Sequence, residues 1–108
     1  MNDRELMELA AKAAGVDFDG HTFVKRDRYS SNVWAPLFDD GDAFRLAVQL
    51  GMRIYVYPGG DDNVTVVAND ELKAKGAPHI SEPHAEDRLA ATRRAIVRAA
   101  AEMAKGLE

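Results

Sequence analysis

Trp34-Ala-Pro-Leu-Phe-Asp-Asp-Gly-Asp-Ala-Phe-Arg-Leu-Ala-Val-Gln-Leu-Gly51, continued by Met52-Arg-Ile-Tyr-Val-Tyr-Pro58, holds an aromatic plug, an acidic helix start, an apolar helix, a glycine stop and a strand. Asp39 or Asp40 can cap the free N–H groups of the helix. Phe44, Ala47, Val48 and Leu50 are expected on its buried side, with Arg45 and Gln49 on the wet side and Gly51 as the αL stop. Trp34 is the only tryptophan. Beside Pro36-Leu37-Phe38 it reads as a core plug, set against Phe44 and Ile54.

Two strands are expected next, 52–57 and 64–69. The segment Pro58-Gly-Gly-Asp-Asp-Asn63 between them is turn chemistry, so the pair reads as a β-hairpin. Pro58 has no N–H to give a ladder and marks where pairing stops. In the simplest register Met52, Ile54, Val56, Val64, Val66 and Ala68 share one face, and Arg53, Tyr55, Tyr57, Thr65 and Val67 the other. The second set is too apolar for a fully wet face, which implies cover on both sides of the sheet. A hairpin alone is marginal, so a third strand is expected, from residues 16–24.

Outward from this centre, Asn2 with Glu5 three residues later reads as a capping box opening a helix. Leu6, Leu9, Ala10, Ala13 and Ala14 fall on one stripe and Gly15 supplies the stop. Phe18 and Thr22-Phe-Val24 flank the turn dipeptide Asp19-Gly20, and residues 25–36 read as a polar surface loop. Residues 70–84 read as a linker. From about Ala85 to Lys105 the longest helix is expected, with Leu89, Ile96, Ala100, Met103 and Leu107 on its buried stripe. The whole, 1–108, is expected to be one α+β domain: an α-β-α sandwich of three helices and a small, mainly antiparallel sheet.

Composition narrows the function classes. Apolar residues make up 46% and charged residues 30%, which is ordinary for a globular chain and too apolar for disorder. No apolar run approaches the roughly 20 residues that span a bilayer. The polar start Met1-Asn-Asp-Arg-Glu5 does not resemble a signal peptide, so a bacterial cytoplasmic setting is expected. The chain has no cysteine, which removes disulfides, thiol catalysis and zinc–thiolate sites. Net charge is −4, with acid concentrated in the middle of the chain and base in Lys25-Arg-Asp-Arg28 and in Arg88, Arg93, Arg94 and Arg98. An acidic middle repels a nucleic-acid backbone unless it faces away.

Three blocks resemble a known group: Asn2-Asp-Arg-Glu-Leu-Met-Glu-Leu-Ala-Ala-Lys-Ala-Ala-Gly15, Trp34-x-Pro-Leu-x-Asp-Asp-Gly-Asp-Ala-x-Arg-Leu-Ala-Val48, and Ala91-Thr-Arg-Arg-Ala-Ile-Val-Arg-Ala-Ala-Ala-Glu102. Together they are similar to the phage ABA sandwich family of small uncharacterised phage and prophage proteins. The resemblance implies an α-β-α fold and a phage context. That family has no agreed activity, so it brings no functional residues.

Asp39-Asp-Gly-Asp42 lacks the alternating oxygen ligands and closing glutamate of a calcium loop and reads as an acidic N-cap. His79-Ile-Ser-Glu-Pro-His-Ala-Glu-Asp87 holds metal-ligand types, but a proline splits its histidines, so no metal and no cofactor are expected. Ser30, Ser31 and Ser81 lie in no nucleophile elbow, and no helix follows Gly59-Gly60 to offer a phosphate cradle. The best binding candidates are Lys25, Arg26, Arg28 and Tyr29, with Arg94 and Arg98 on the last helix; cations there can engage phosphate while Tyr29 stacks on a base. The reading is a small non-enzymatic phage or prophage accessory protein that acts by binding a host protein, a phage protein or itself. The alternative is a nucleic-acid or nucleotide binder using segments 25–28 and 88–98. No membrane partner is expected.

Overall fold

The computed structural model describes residues 2–18, 23–26, 31–57, 59, 63–74, 76 and 79–105, the side chains of 17–33 excepted. The first helix, α1 (Asp3–Ala14), starts as its cap dictates: the Asn2 side chain accepts from the Glu5 N–H at 2.8 Å. It ends at Gly15 with φ 71°, a conformation that costs glycine no Cβ clash. Strands β1 (Asp17–Phe18), β2 (Phe23–Arg26) and β3 (Ser31–Val33) then form a small antiparallel sheet. The segment expected to supply a third strand to the hairpin thus pairs within itself, and part of the expected 25–36 loop is strand.

Helix α2 (Asp40–Gln49) is capped by Asp39, whose side chain accepts from the Gly41 N–H. Strands β4 (Arg53–Tyr57) and β5 (Val64–Ala68) form the expected hairpin. Its register differs by one residue from the simple one, with Arg53 opposite Ala68 and Tyr57 opposite Val64. A one-residue slip exchanges the faces of a strand. Thr65 and Val67, not Val64 and Val66, therefore join Ile54 and Val56 on the helix side, and both are wholly buried. Tyr55 and Tyr57 lie on the opposite side and are nearly half exposed.

The expected linker 70–84 contains two elements, α3 (Asp70–Ala74) and β6 (His79–Pro83). β6 pairs antiparallel with β5 and is the hairpin's third strand, giving the order β4-β5-β6. Helix α4 (Arg88–Ala104) follows, capped by Asp87. The class is α+β with antiparallel sheets, as expected, with four helices described rather than three. The expected end of the buried stripe, Leu107, lies outside the described residues.

α4 is the axis of the molecule. It packs on β5 and β6 with one side and on α1, α2 and α3 with others. Alanines at 95, 99, 100, 101 and 104 are essentially inaccessible, which lets neighbouring backbones approach closely. Trp34 is buried in the same core as Leu6, Leu46, Val67 and Ile96, as a plug should be. Phe44 is not beside it, because α2 turns a different stripe inward: Asp42, Ala43, Leu46 and Ala47 are buried, while Phe44 and Val48 are 66% and 63% exposed. Leu89 is also exposed, at 63%, while Ile96, Ala100 and Met103 are covered as expected.

Candidate interaction surface

The outward face of α2 is built by helical spacing. Asp40, Phe44 and Val48 recur at i, i+4 and i+8 and so form one stripe. Just before it, the turn closed by the Phe38 and Asp39 N–H groups on the Ala35 carbonyl holds Phe38 outward, 74% exposed. Arg93 of α4 binds this turn to the helix. Its Nε donates to the Leu37 carbonyl at 2.9 Å and its Nη1 to Asp40 Oδ1 at 2.6 Å. Leu89 lies one turn ahead of Arg93 on the same face of α4 and is 63% exposed. The three segments that Arg93 joins thus each carry exposed apolar side chains: Leu89 on α4, Phe38 on the turn, and Phe44 and Val48 on α2. Between the turn and the end of β6 lies a groove of about 520 Å³, with Leu37, Phe38, Ala90, Arg93 and Arg94 in its lining.

A buried carboxylate fixes this surface from behind. Asp42 is 2% exposed; one oxygen accepts from the Ala35 N–H at 3.0 Å and the other from Arg45 Nη2 at 2.9 Å. The acidic cluster thus divides its labour: Asp39 caps, Asp40 pairs with Arg93, and Asp42 ties the Trp34 segment to α2. All three carboxylates serve structure.

The histidine loop resolves in the same way. His79 is exposed at the start of β6, whereas His84 is 2% exposed with both ring nitrogens engaged. Nδ1 lies 2.8 Å from Asn63 Oδ1, and Nε2 lies 2.8 Å from Thr65 Oγ1. Thr65 Oγ1 in turn lies 2.8 Å from Thr92 Oγ1 on α4. A neutral imidazole satisfies the chain if Nδ1–H donates to Asn63, Thr65 donates to bare Nε2, and Thr92 donates to Thr65. The order hydroxyl–imidazole–amide is that of an activated nucleophile with its base and orienter. Thr65, however, has no exposed surface, so no substrate reaches it. This is a pin between hairpin, β6 and α4. Next to it Ala85 has φ 53°, a left-handed conformation uncommon outside glycine, as the chain turns from the strand into the α4 cap. Among the described residues no group of three or more histidine and acidic side chains is placed to hold a metal ion.

The expected binding cations fall in three places. Lys25 and Arg26 are strand residues of β2, paired with Asn32 and Ser31. Arg28 and Tyr29 lie outside the described residues. Arg94 and Arg98 converge on Glu82, itself largely buried: Arg98 Nη1 is 2.5 Å from its carboxylate and also donates to the Ser81 carbonyl, while Arg94 Nη1 donates to Asp3 at 2.9 Å. Their charge is answered within the fold. At the far end of the sheet Arg53 donates to Asp70 at 2.9 Å, and that hydrogen bond, with the charge behind it, raises the guanidinium pKa above its usual value.

Sequence reasoning missed Phe38, Phe44, Val48 and the His84 pin. The signal for α2 was present in Asp42-Ala43 and Leu46-Ala47, an i, i+1, i+4, i+5 pattern whose carboxylate concealed it. For the pin there was no local signal, because Asn63 with Thr65, His84 and Thr92 come from three separate places in the chain. No helix described is long and apolar enough to cross a membrane. The chain matches no protein-family model, no curated protein and no solved structure.

Proposed function

We propose that this is a small non-enzymatic accessory protein of a phage or prophage that works by binding a protein partner through the exposed side chains of Leu89, Phe38, Phe44 and Val48. The phage context rests on the three sequence blocks. The binding mode rests on one observation: two phenylalanines stand 74% and 66% exposed on a rigid turn and helix, pinned from behind by Asp42 and Arg93. Burying two such rings, with Val48 and Leu89, supplies the apolar centre of an interface, and the groove beside Phe38 admits a side chain from the partner. The ion-paired state of Arg93, Arg94 and Arg98 weighs against a phosphate-binding face on α4.

The test is capture of partners from a phage-infected or lysogenic bacterium, comparing the native protein with a Phe38→Ser/Phe44→Ser double variant by quantitative mass spectrometry. The expected result is a protein enriched by the native chain and lost by the variant, while both unfold at similar temperature. Retention of the same protein by the variant overturns the assigned surface. Nuclease-sensitive retention of nucleic acid, with no protein enriched, overturns the reading.

A further inference from the structure

The two edges of the β4-β5-β6 sheet are built differently. β6 is guarded. Pro83 has no N–H to donate, the Ser81 carbonyl already accepts from Arg98, and Glu82 sits in the strand with its charge held by two arginines. β4 contains no proline, and its one charge, Arg53, stands at its first position and is paired with Asp70. Its sequence Arg53-Ile-Tyr-Val-Tyr57 is strongly strand-forming, and among the described residues it pairs on one side only, with β5. It is also thinly covered. Tyr55, Val56 and Tyr57 are each about 45% exposed, and Val56 is on the helix side, where α4 packs over β5 and β6. β1 and β3, the other edges, are only two and three residues long.

We propose that β4 pairs antiparallel with β4 of a second copy of this chain, joining two three-stranded sheets across a twofold axis at Tyr55. The register follows from the segment's own symmetry. Met52 N–H is already given to the Ala47 carbonyl and Pro58 has no N–H, so the pairing segment is 53–57, whose centre is Tyr55. Tyr55 then faces Tyr55 of the second copy, Ile54 faces Val56, and Arg53 faces Tyr57. Opposed residues lie on the same face, so the helix side gains two aliphatic pairs and the other side gains a tyrosine pair flanked by two arginine–tyrosine pairs. No like charges oppose one another. The contact is isologous and closes: both outer edges of the joined sheet are β6, which is guarded, so the pairing ends at two copies. This dimer uses the sheet edge and stands independently of the stripe on α2.

The experiment uses purified full-length protein. Sedimentation equilibrium of the native chain is expected to give twice the chain mass, dissociating on dilution. Tyr55→Lys and Tyr55→Glu each place like charges opposite each other on the axis and are expected to sediment as monomers, while an equimolar mixture of the two recovers dimers. Because the chain has no cysteine, Tyr55→Cys introduces a single thiol. Across an antiparallel pair the Cα atoms are about 4.5–5.5 Å apart, within disulfide range, so mild oxidation is expected to give a covalent dimer. Ser81→Cys on the guarded edge is the control and is expected to form no covalent dimer. A native protein that is monomeric at every concentration overturns the inference, even if β4 accepts a strand from some other protein. So does a dimer insensitive to Tyr55 charge, or equal cross-linking at Ser81→Cys.

Discussion

Thr65 and Phe44 invert the usual sorting of side chains. The threonine has no exposed surface and the phenylalanine has two thirds of its surface exposed, though each sits in a regular element of the same domain. Around Thr65 every polar partner is supplied at hydrogen-bond distance: His84 and Thr92 meet its hydroxyl, and Asn63 meets the far side of the imidazole. Around Phe44 nothing in the fold asks for a ring, because α2 closes its core with Ala43, Leu46 and Ala47. Polar burial is tolerable where the hydrogen bonds are complete, and apolar exposure persists where folding does not depend on it. The first region is therefore read through stability and the second through binding.

The largest effects belong to the core that both regions rest on. Trp34→Ala is expected to cost about 3–5 kcal/mol, the usual range for deleting a buried large aromatic, and Leu46→Ala about 2–5 kcal/mol. Urea unfolding of each variant measures this. A Trp34→Ala cost below about 1 kcal/mol would show that the 34–38 segment is held by Asp42 and Arg93 alone.

Breaking the polar seam comes next. His84→Leu keeps the volume but leaves Thr65 with Thr92 only, and its expected cost is about 1–3 kcal/mol, the penalty for stranding buried polar groups. A paired Thr65→Val/His84→Leu variant is expected to recover part of that loss, since both partners are then apolar. If the double variant loses the full sum instead, the seam works as a rigid packing unit rather than a hydrogen-bonded one, and the comparison with Phe44 fails.

The comparison also locates what the sequence could show. Caps and stops act between neighbours, so Asn2, Gly15, Asp39 and the hairpin were legible. Register was not: a six-residue connection between Tyr57 and Val64 permits either parity, and Thr65 among three valines and an alanine in 64–68 gave no alternation to choose by. β6 was hidden because its own residues His79, Ser81, Glu82 and Pro83 look like a linker, and only Ile80 reports burial. The helix face of α2 was misjudged because Asp42 occupies a core-facing position. At the surface, Arg94 and Arg98 looked like ligand-binding cations because their partner Glu82 lies in that same hidden strand.

If Arg94 and Arg98 served only to bind a partner, as the sequence suggests, charge reversal there would leave thermal stability almost unchanged. With Glu82 largely buried between them, Arg98→Glu sets carboxylate against carboxylate and frees the Ser81 carbonyl. A loss of about 1 kcal/mol, reduced by solvent screening because Arg98 is itself 38% exposed, is expected in thermal unfolding at low salt. Added salt should shrink the loss, since screening weakens like-charge repulsion as well as attraction. A loss that is independent of salt would assign the effect to packing of the arginine stem on β6.

The smallest expected effect on stability is the most informative about function. Phe44→Ser removes a ring that is 66% exposed, two positions from Leu46, which is 2% exposed. Substitutions away from core, caps and buried networks fall within about 0.5 kcal/mol. Phe44→Ser is expected to fall in that range, since serine and phenylalanine have similar helix propensity. Phe38→Ser should match it, because the turn that presents Phe38 is closed by backbone hydrogen bonds to Ala35 and by Arg93 on the Leu37 carbonyl, none of which uses the ring. The two substitutions should also be additive, since neither ring supports the other's element. Parallel urea unfolding of the single and double variants decides the matter. Rings that cost about 2 kcal/mol or more to remove would be part of the core and not a surface held out for a partner; rings that cost nothing to remove leave the proposed partner surface standing.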